Sequence, residues 1–284
     1  MIFLRLVLAA LLSLIALPAM ADTKVFNDIA YGRDDQQKLD VYVPDVCQNA
    51  SCPVVIWVHG GGWRMGSKDM RNSRELMQTW AAQGIVTVST NYRLSPQDVH
   101  PAHIRDVTAA IGWVYRHASQ YGGNANRIFL LGHSAGAHLV ALAGTSPTYL
   151  AEQGLKPSML KGVFPIDTAS FDLAANPNRH VQRMIRSAFG TDPAVLRDAS
   201  PIWNVTAGQS YPPFIIAATE NRPDAVETSQ ILQNKLRSVG GQAELMVINY
   251  PDERQLAAHR DIAQDLRNLD SPMTQKLLAF VKSH

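Results

Sequence analysis

Residues 127–136 read Arg127-Ile128-Phe129-Leu130-Leu131-Gly132-His133-Ser134-Ala135-Gly136. Ile128–Leu131 is an apolar run of strand length, and the Ala-, Leu- and Val-rich stretch after Ser134 reads as a helix of small residues. Between them the chain must turn sharply, which forces Ser134 into a strained backbone region and leaves its hydroxyl exposed at a helix N-terminus. Glycines at 132 and 136 remove the side chains that would crowd such a turn. A bare G-x-S-x-G arises often by chance; strand before and helix after give it structural meaning.

Working outward, strands and helices alternate. Strand-like stretches are expected at 25–31, 38–43, 53–59, 85–91, 127–132, 160–166, 214–219 and 243–248, with helices near 73–83, 103–120, 225–239 and 271–282. The run Pro53–His59 is unbroken and partly β-branched, as in a strand buried on both faces. Residues 39–43 alternate instead, as in a half-buried strand. This order predicts an α/β fold with a mostly parallel central sheet and helices on both faces. No Pro/Gly/Ser-rich linker divides the chain, so residues 22–284 read as one domain. The more polar stretch at about 171–205, with Pro177, Pro193 and Pro201, reads as a small cap insertion.

A second cluster, His59-Gly60-Gly61-Gly62-Trp63, ends the run at Val54–Val58. Consecutive glycines leave backbone N–H groups unobstructed for a substrate oxygen, and no Gly-Lys-Ser/Thr follows, which argues against a nucleotide loop. The amides of Gly61 or Gly62, with that of Ala135, are the candidate donors to a developing oxyanion. His100 and His103 lack further ligands for a metal pair, and Asp106 is expected to make a local hydrogen bond on its helix.

Composition narrows the classes further. A net charge of +2, without long blocks of like charge, gives no electrostatic case for nucleic acid or an anionic membrane surface. Residues 1–21 read as an export signal: Arg5, an apolar run over Leu6–Leu17, and the small-x-small site Ala19-Met20-Ala21. The run is short for a membrane span, and no Cys follows to carry a lipid, so a periplasmic or secreted protein without a stable membrane anchor is expected. The two cysteines, Cys47 and Cys52, could close a small disulfide loop in that setting, and they make a poor zinc site. Nothing bears on oligomeric state.

His59–Trp63 and Gly132–Gly136 together resemble the hormone-sensitive-lipase-like and feruloyl-esterase-like branch of the α/β hydrolases. Asn91-Tyr92-Arg93-Leu94-Ser95-Pro96 and His100-Pro101-Ala102-His103 add to the likeness, which runs from about Leu39 to the C-terminus and weakens after Phe171. The resemblance implies a serine esterase of the α/β-hydrolase fold, with no cofactor or metal. It would act on small carboxylic esters of modest acyl chain, esters of plant phenolic acids among them. Ser134 would be the nucleophile. The sequence His259-Arg260-Asp261-Ile262 resembles the family's catalytic-histidine loop, which makes His259 the base. The family places an Asp shortly after the strand that is here 214–219, where this sequence has Asn221 or Arg222. The carboxylates on offer there are Asp224 and Glu220, and Asp224 also suits a helix N-cap. An arylformamidase-type amide hydrolase and a non-catalytic binding protein of the same fold are the alternatives.

Overall fold

A computed structural model describes residues 22–47, 49–176, 178–251 and 254–284; the signal-like segment 1–21 lies outside the described residues. Eight strands form one sheet: β1 (Thr23–Ala30), β2 (Lys38–Pro44), β3 (Cys52–Val58), β4 (Val86–Thr90), β5 (Gly123–His133), β6 (Gly162–Ile166), β7 (Phe214–Thr219) and β8 (Ala243–Ile248). Their spatial order is β1-β2-β4-β3-β5-β6-β7-β8. The first two strands run antiparallel at one edge, and β4 through β8 are parallel. This is the expected α/β architecture.

Strand β3 shows why its sequence is apolar without alternation. Val54, Ile56 and Val58 enter the core on one face, while Val55 and Trp57 enter the core on the other. Helices α2 (Ala102–His117), α3 (Ala135–Thr145) and α8 (Pro223–Ser238) cover the first face. Helices α1 (Arg71–Ala81), α9 (Gln255–Asp265) and α10 (Pro272–Ser283) cover the second. Burying Val or Ile on both sides in this way contributes about 1.5–3 kcal/mol per side chain before entropy is counted. Every residue of α3 is buried, so its small side chains are what let it approach the sheet: a Cβ on Gly144 would come within 2.9 Å of Phe214 and Val163 atoms.

A short α4 (Pro147–Ala151) precedes β6, and the 171–205 segment holds α5 (Arg179–Phe189), α6 (Pro193–Asp198) and α7 (Pro201–Asn204). This segment docks on the body through Phe189, whose ring meets those of Trp63, His100, His103 and His138. His138 Nε2–H donates to Ala199 O at 2.7 Å, and His100 Nε2–H to Asp198 Oδ2 at 2.9 Å. Cys47 and Cys52 are joined as a disulfide between β2 and β3.

Two expectations need correction. Residues 255–265 form α9, so His259 lies within a helix and not on a loop; only Ala258 and Ile262 of that helix are fully buried, too weak an apolar stripe to read. Asp106 reaches beyond its own helix: it accepts from Arg93 N, Nε and Nη2 at 2.8–2.9 Å and from Gln37 Nε2 at 2.7 Å.

Four histidines, three of them buried and His133 half-buried, shape the response to acid. Burial lowers His59 and His103 to about 4, and His133 and His138 to about 3. These folded-state values lie below the ordinary 6.5, so beneath 6.5 the unfolded chain binds protons that the native state does not. Each histidine then costs about 1.4 kcal/mol per pH unit. The melting temperature is expected to be level above about pH 7 and to fall steeply between about pH 6 and 4; a flat profile down to pH 4 in scanning calorimetry would contradict these assignments.

Candidate active site

The parallel strands all point one way, and their C-terminal ends gather the chemistry, as open α/β sheets do. Strand β5 ends at His133, and α3 starts at Ala135. The one residue between them, Ser134, has φ +57° and ψ −120°. A non-glycine residue in this region carries a cost of order 1–3 kcal/mol. The surroundings hold it there: Ser134 N–H donates to Ile166 O at 2.9 Å, and His138 N–H donates back to Ser134 O at 3.2 Å. A Cβ on Gly132 would lie 2.4 Å from Gly136 O, and one on Gly136 would lie 2.0 Å from Val58 O. Both glycines are therefore steric requirements of the turn.

The loop after β3 runs beside the serine, since a Cβ on Gly60 would sit 3.0 Å from Ser134 Cβ. Gly61 and Gly62 have φ of +119° and +60°. Met65 O and Met184 Sδ would stand 2.0 Å and 2.5 Å from Cβ atoms added there. Neither amide donates to a protein acceptor among the described residues. Ala135 N–H, first in its helix, is free of an intrahelical partner for the usual geometric reason. His59 anchors the loop: its Nδ1–H donates to Gly60 O at 2.8 Å, and Tyr92 stacks on the ring and donates from its hydroxyl to His59 O.

His259, on α9, faces the serine: Ser134 Oγ–H donates to its Nε2 at 3.0 Å. Its Nδ1–H donates to Asp167 Oδ2 at 2.6 Å. Asp167 follows β6 directly, with φ +53° and no solvent exposure. Its other oxygen accepts from Thr219 N–H at 3.0 Å. Burial alone would push this carboxyl up; the hydrogen bond from His259 and the charge of Arg222 outweigh it and bring the group to about 2. The order Ser134, Asp167, His259 keeps the chain order of the fold.

The structure thus brings Ser134 and His259 together and does not bring Asp224 or Glu220 to the histidine. Asp224 sits in the first turn of α8, where its carboxylate accepts from Ala225 N–H at 3.0 Å and lies 3.9 Å from Arg222 Nη2. Glu220 is exposed at the end of β7. The place beside His259 that this loop could have filled holds the Arg222 guanidinium instead. Asp167 carried one visible signal, an ionisable residue ending a wholly apolar strand at the catalytic edge of the sheet.

His133 also touches the histidine. Its Nε2–H donates to His259 O at 2.8 Å, and the two rings lie 4.4 Å apart. His133, Asp167 and His259 are close enough together to ligate an ion. The guanidinium already supplies the positive charge there, 2.9 Å from Asp167 Oδ2. The group opens into a cavity of about 950 Å³, bounded in part by Met65, Met70, Met184 and Leu256. No described helix is long and apolar enough to cross a membrane.

A serine on a strand–turn–helix elbow over a mostly parallel sheet, facing a histidine, defines a protein of the α/β-hydrolase fold, of the hormone-sensitive-lipase type. Solved structures agree on the fold: an inhibited esterase B from Lactobacillus rhamnosis superposes with TM-score 0.75 at 22% identity, covering 92% of this chain and 87% of that one. An esterase from the archaeon Pyrobaculum calidifontis gives 0.73 at 23%, covering 92% and 85%. The BD-FAE model matches residues 39–236, and the chain belongs to that family. Esterase LipC of Mycobacterium tuberculosis is 34% identical over 223 residues, 74% of this chain and 55% of LipC. The chain spans about half the length of LipC and of the related esterase LipQ, 55% and 49% respectively.

Asp167→Ala is expected to lower kcat by roughly 10⁴-fold with the fold intact. Asp224→Ala and Glu220→Ala are expected to change kcat less than about threefold (on the order of a surface ion pair's worth), since neither carboxylate meets His259. Steady-state kinetics on p-nitrophenyl acetate with circular dichroism distinguishes these, and an unimpaired Asp167→Ala would remove Asp167 from the site.

Proposed function

We propose that this chain is a serine carboxylic ester hydrolase working through an acyl-enzyme on Ser134. One observation carries the reading: the unbroken hydrogen-bond chain from Ser134 Oγ through His259 to a buried, ionised Asp167. His259 Nε2 takes the hydroxyl proton as Oγ attacks the ester carbonyl, and Asp167 stabilises the imidazolium without accepting its proton. The amides of Gly61 or Gly62 and of Ala135 receive the tetrahedral oxyanion, each donor worth about 3–4 kcal/mol of barrier. His259 then protonates the leaving alcohol, and water repeats the cycle on the acyl group.

The completeness of this chain speaks against a non-catalytic binding protein, and the relatives' own names are those of esterases. The cavity, whose wall sets Met65, Met184 and Leu256 beside polar side chains such as Asn178, Gln255 and Arg260, suits a small ester with an adaptable apolar acyl group. Export to the periplasm or beyond is part of the proposal. The signal-like pattern of residues 1–21 and the Cys47–Cys52 disulfide support it, because disulfides persist in oxidising compartments. Intact-mass analysis of the exported protein is expected to show Asp22 as the first residue.

Ser134→Ala is expected to lose activity as fully as about 10⁶-fold, and a fluorophosphonate is expected to label the wild-type chain at Ser134. A series of p-nitrophenyl esters run beside N-formylkynurenine is expected to show turnover of the short esters and a burst of nitrophenol. More than a tenth of wild-type activity in Ser134→Ala would overturn the assignment.

A further inference from the structure

We propose that Arg222 is a positioning residue of this site: a fixed guanidinium that clamps Asp167 and thereby holds His259 in the tautomer that can deprotonate Ser134. The inference rests on the ester-hydrolase reading given above. Arg222 N–H donates to Thr219 O, which turns the residue back over the end of β7 at the start of α8. Its side chain is only 12% exposed. Nη1 stands 3.0 Å from Asp167 O, 2.9 Å from Asp167 Oδ2 and 2.8 Å from His259 Nδ1.

Nη1 carries two protons and faces three acceptors. Were one proton given to His259 Nδ1, the ring's own proton would reside on Nε2, and Ser134 Oγ would face a donor where it needs a base. An ionised carboxylate is a much stronger acceptor than a neutral imidazole. The two Nη1 protons therefore go to the carbonyl and carboxylate of Asp167. His259 Nδ1 keeps its proton and donates it to the same Oδ2, leaving the Nε2 lone pair for Ser134. With Oδ1 held by Thr219 N–H, the carboxylate cannot turn away from the histidine. Asp167 is thus gripped by β7, by the residue that starts α8 and by α9 together.

The test compares Arg222→Met and Arg222→Lys with wild type, reading kcat and KM separately on p-nitrophenyl acetate. The rate of fluorophosphonate labelling at Ser134 is read alongside. Arg222→Met is expected to lower kcat and labelling by about ten- to a hundredfold with KM nearly unchanged, the size of effect that follows from misplaced catalytic geometry. Arg222→Lys, which retains a donor and the charge without the fork, is expected to recover part of kcat. If Arg222→Met does not fold, Arg222→Gln makes the same comparison with a neutral donor. Wild-type kcat in the neutral variant would overturn the proposal. So would a loss of kcat matched by a rise in KM, or one that Arg222→Lys does not relieve, since a merely structural role gives that result. Ser134→Ala, run in parallel, separates the outcomes: if it stays active the ester-hydrolase reading fails, and if it is dead the Arg222 variants decide the clamp alone.

Discussion

A carboxylate with no solvent exposure has to be compensated by its neighbours, and Asp167 makes that demand at the centre of this molecule. It is answered by an amide of β7, an imidazole of α9 and a guanidinium from the start of α8. Each donor belongs to a different segment, so satisfying one charge fixes the relative placement of several parts of the chain. The serine's partner is then set without freedom of its own. Breaking one of these bonds would leave a buried charge short of partners, which is more damaging than losing the bond itself.

The sheet makes this arrangement affordable in steric terms. Adjacent parallel strands β5, β6 and β7 end at neighbouring positions, so Ser134, Asp167 and Arg222 come within reach of one histidine although scores of residues separate them in sequence. The same register brings Ile166 O onto Ser134 N–H, which ties the strained serine to the strand that carries the acid. Gly60 and Gly136 allow the β3 loop and α3 to close over that point without side chains between them.

The parts of this site readable in sequence are those whose geometry is local. The turn at Ser134 needs glycines two residues to either side, and the loop at Gly60–Gly62 needs them in a row, so both leave a pattern in the chain. Strand β3 announces its double burial by an unbroken apolar run. Asp167 leaves almost none, because its role comes from β6 lying between β5 and β7, a relation no short window contains. Expecting the acid after β7 directed attention to Asp224 and Glu220, whereas that loop supplies a cation. Helix α9 escaped for a different reason: with Ala258 and Ile262 as its buried residues, its apolar stripe is thin, and its place is set by tertiary contacts.

Those contacts are unevenly distributed along α9. Its C-terminal end is pinned where Trp80 Nε1–H donates to Leu266 O at 2.8 Å, Tyr250 donates to Asp265, and Arg267 pairs with Glu75. Towards its N-terminus the helix rests on Ala258 and on the contacts that His259 itself makes with His133, Asp167 and Ser134, with Leu256 largely in solvent. Ser134 and Asp167 follow directly on strands of the sheet and share its cooperative stability, while His259 sits on the half of a peripheral helix that is held mainly through the site itself. Partial opening of that half would separate base from nucleophile while the sheet remained whole. On the ester-hydrolase reading, such an opening would end turnover below the melting temperature of the domain.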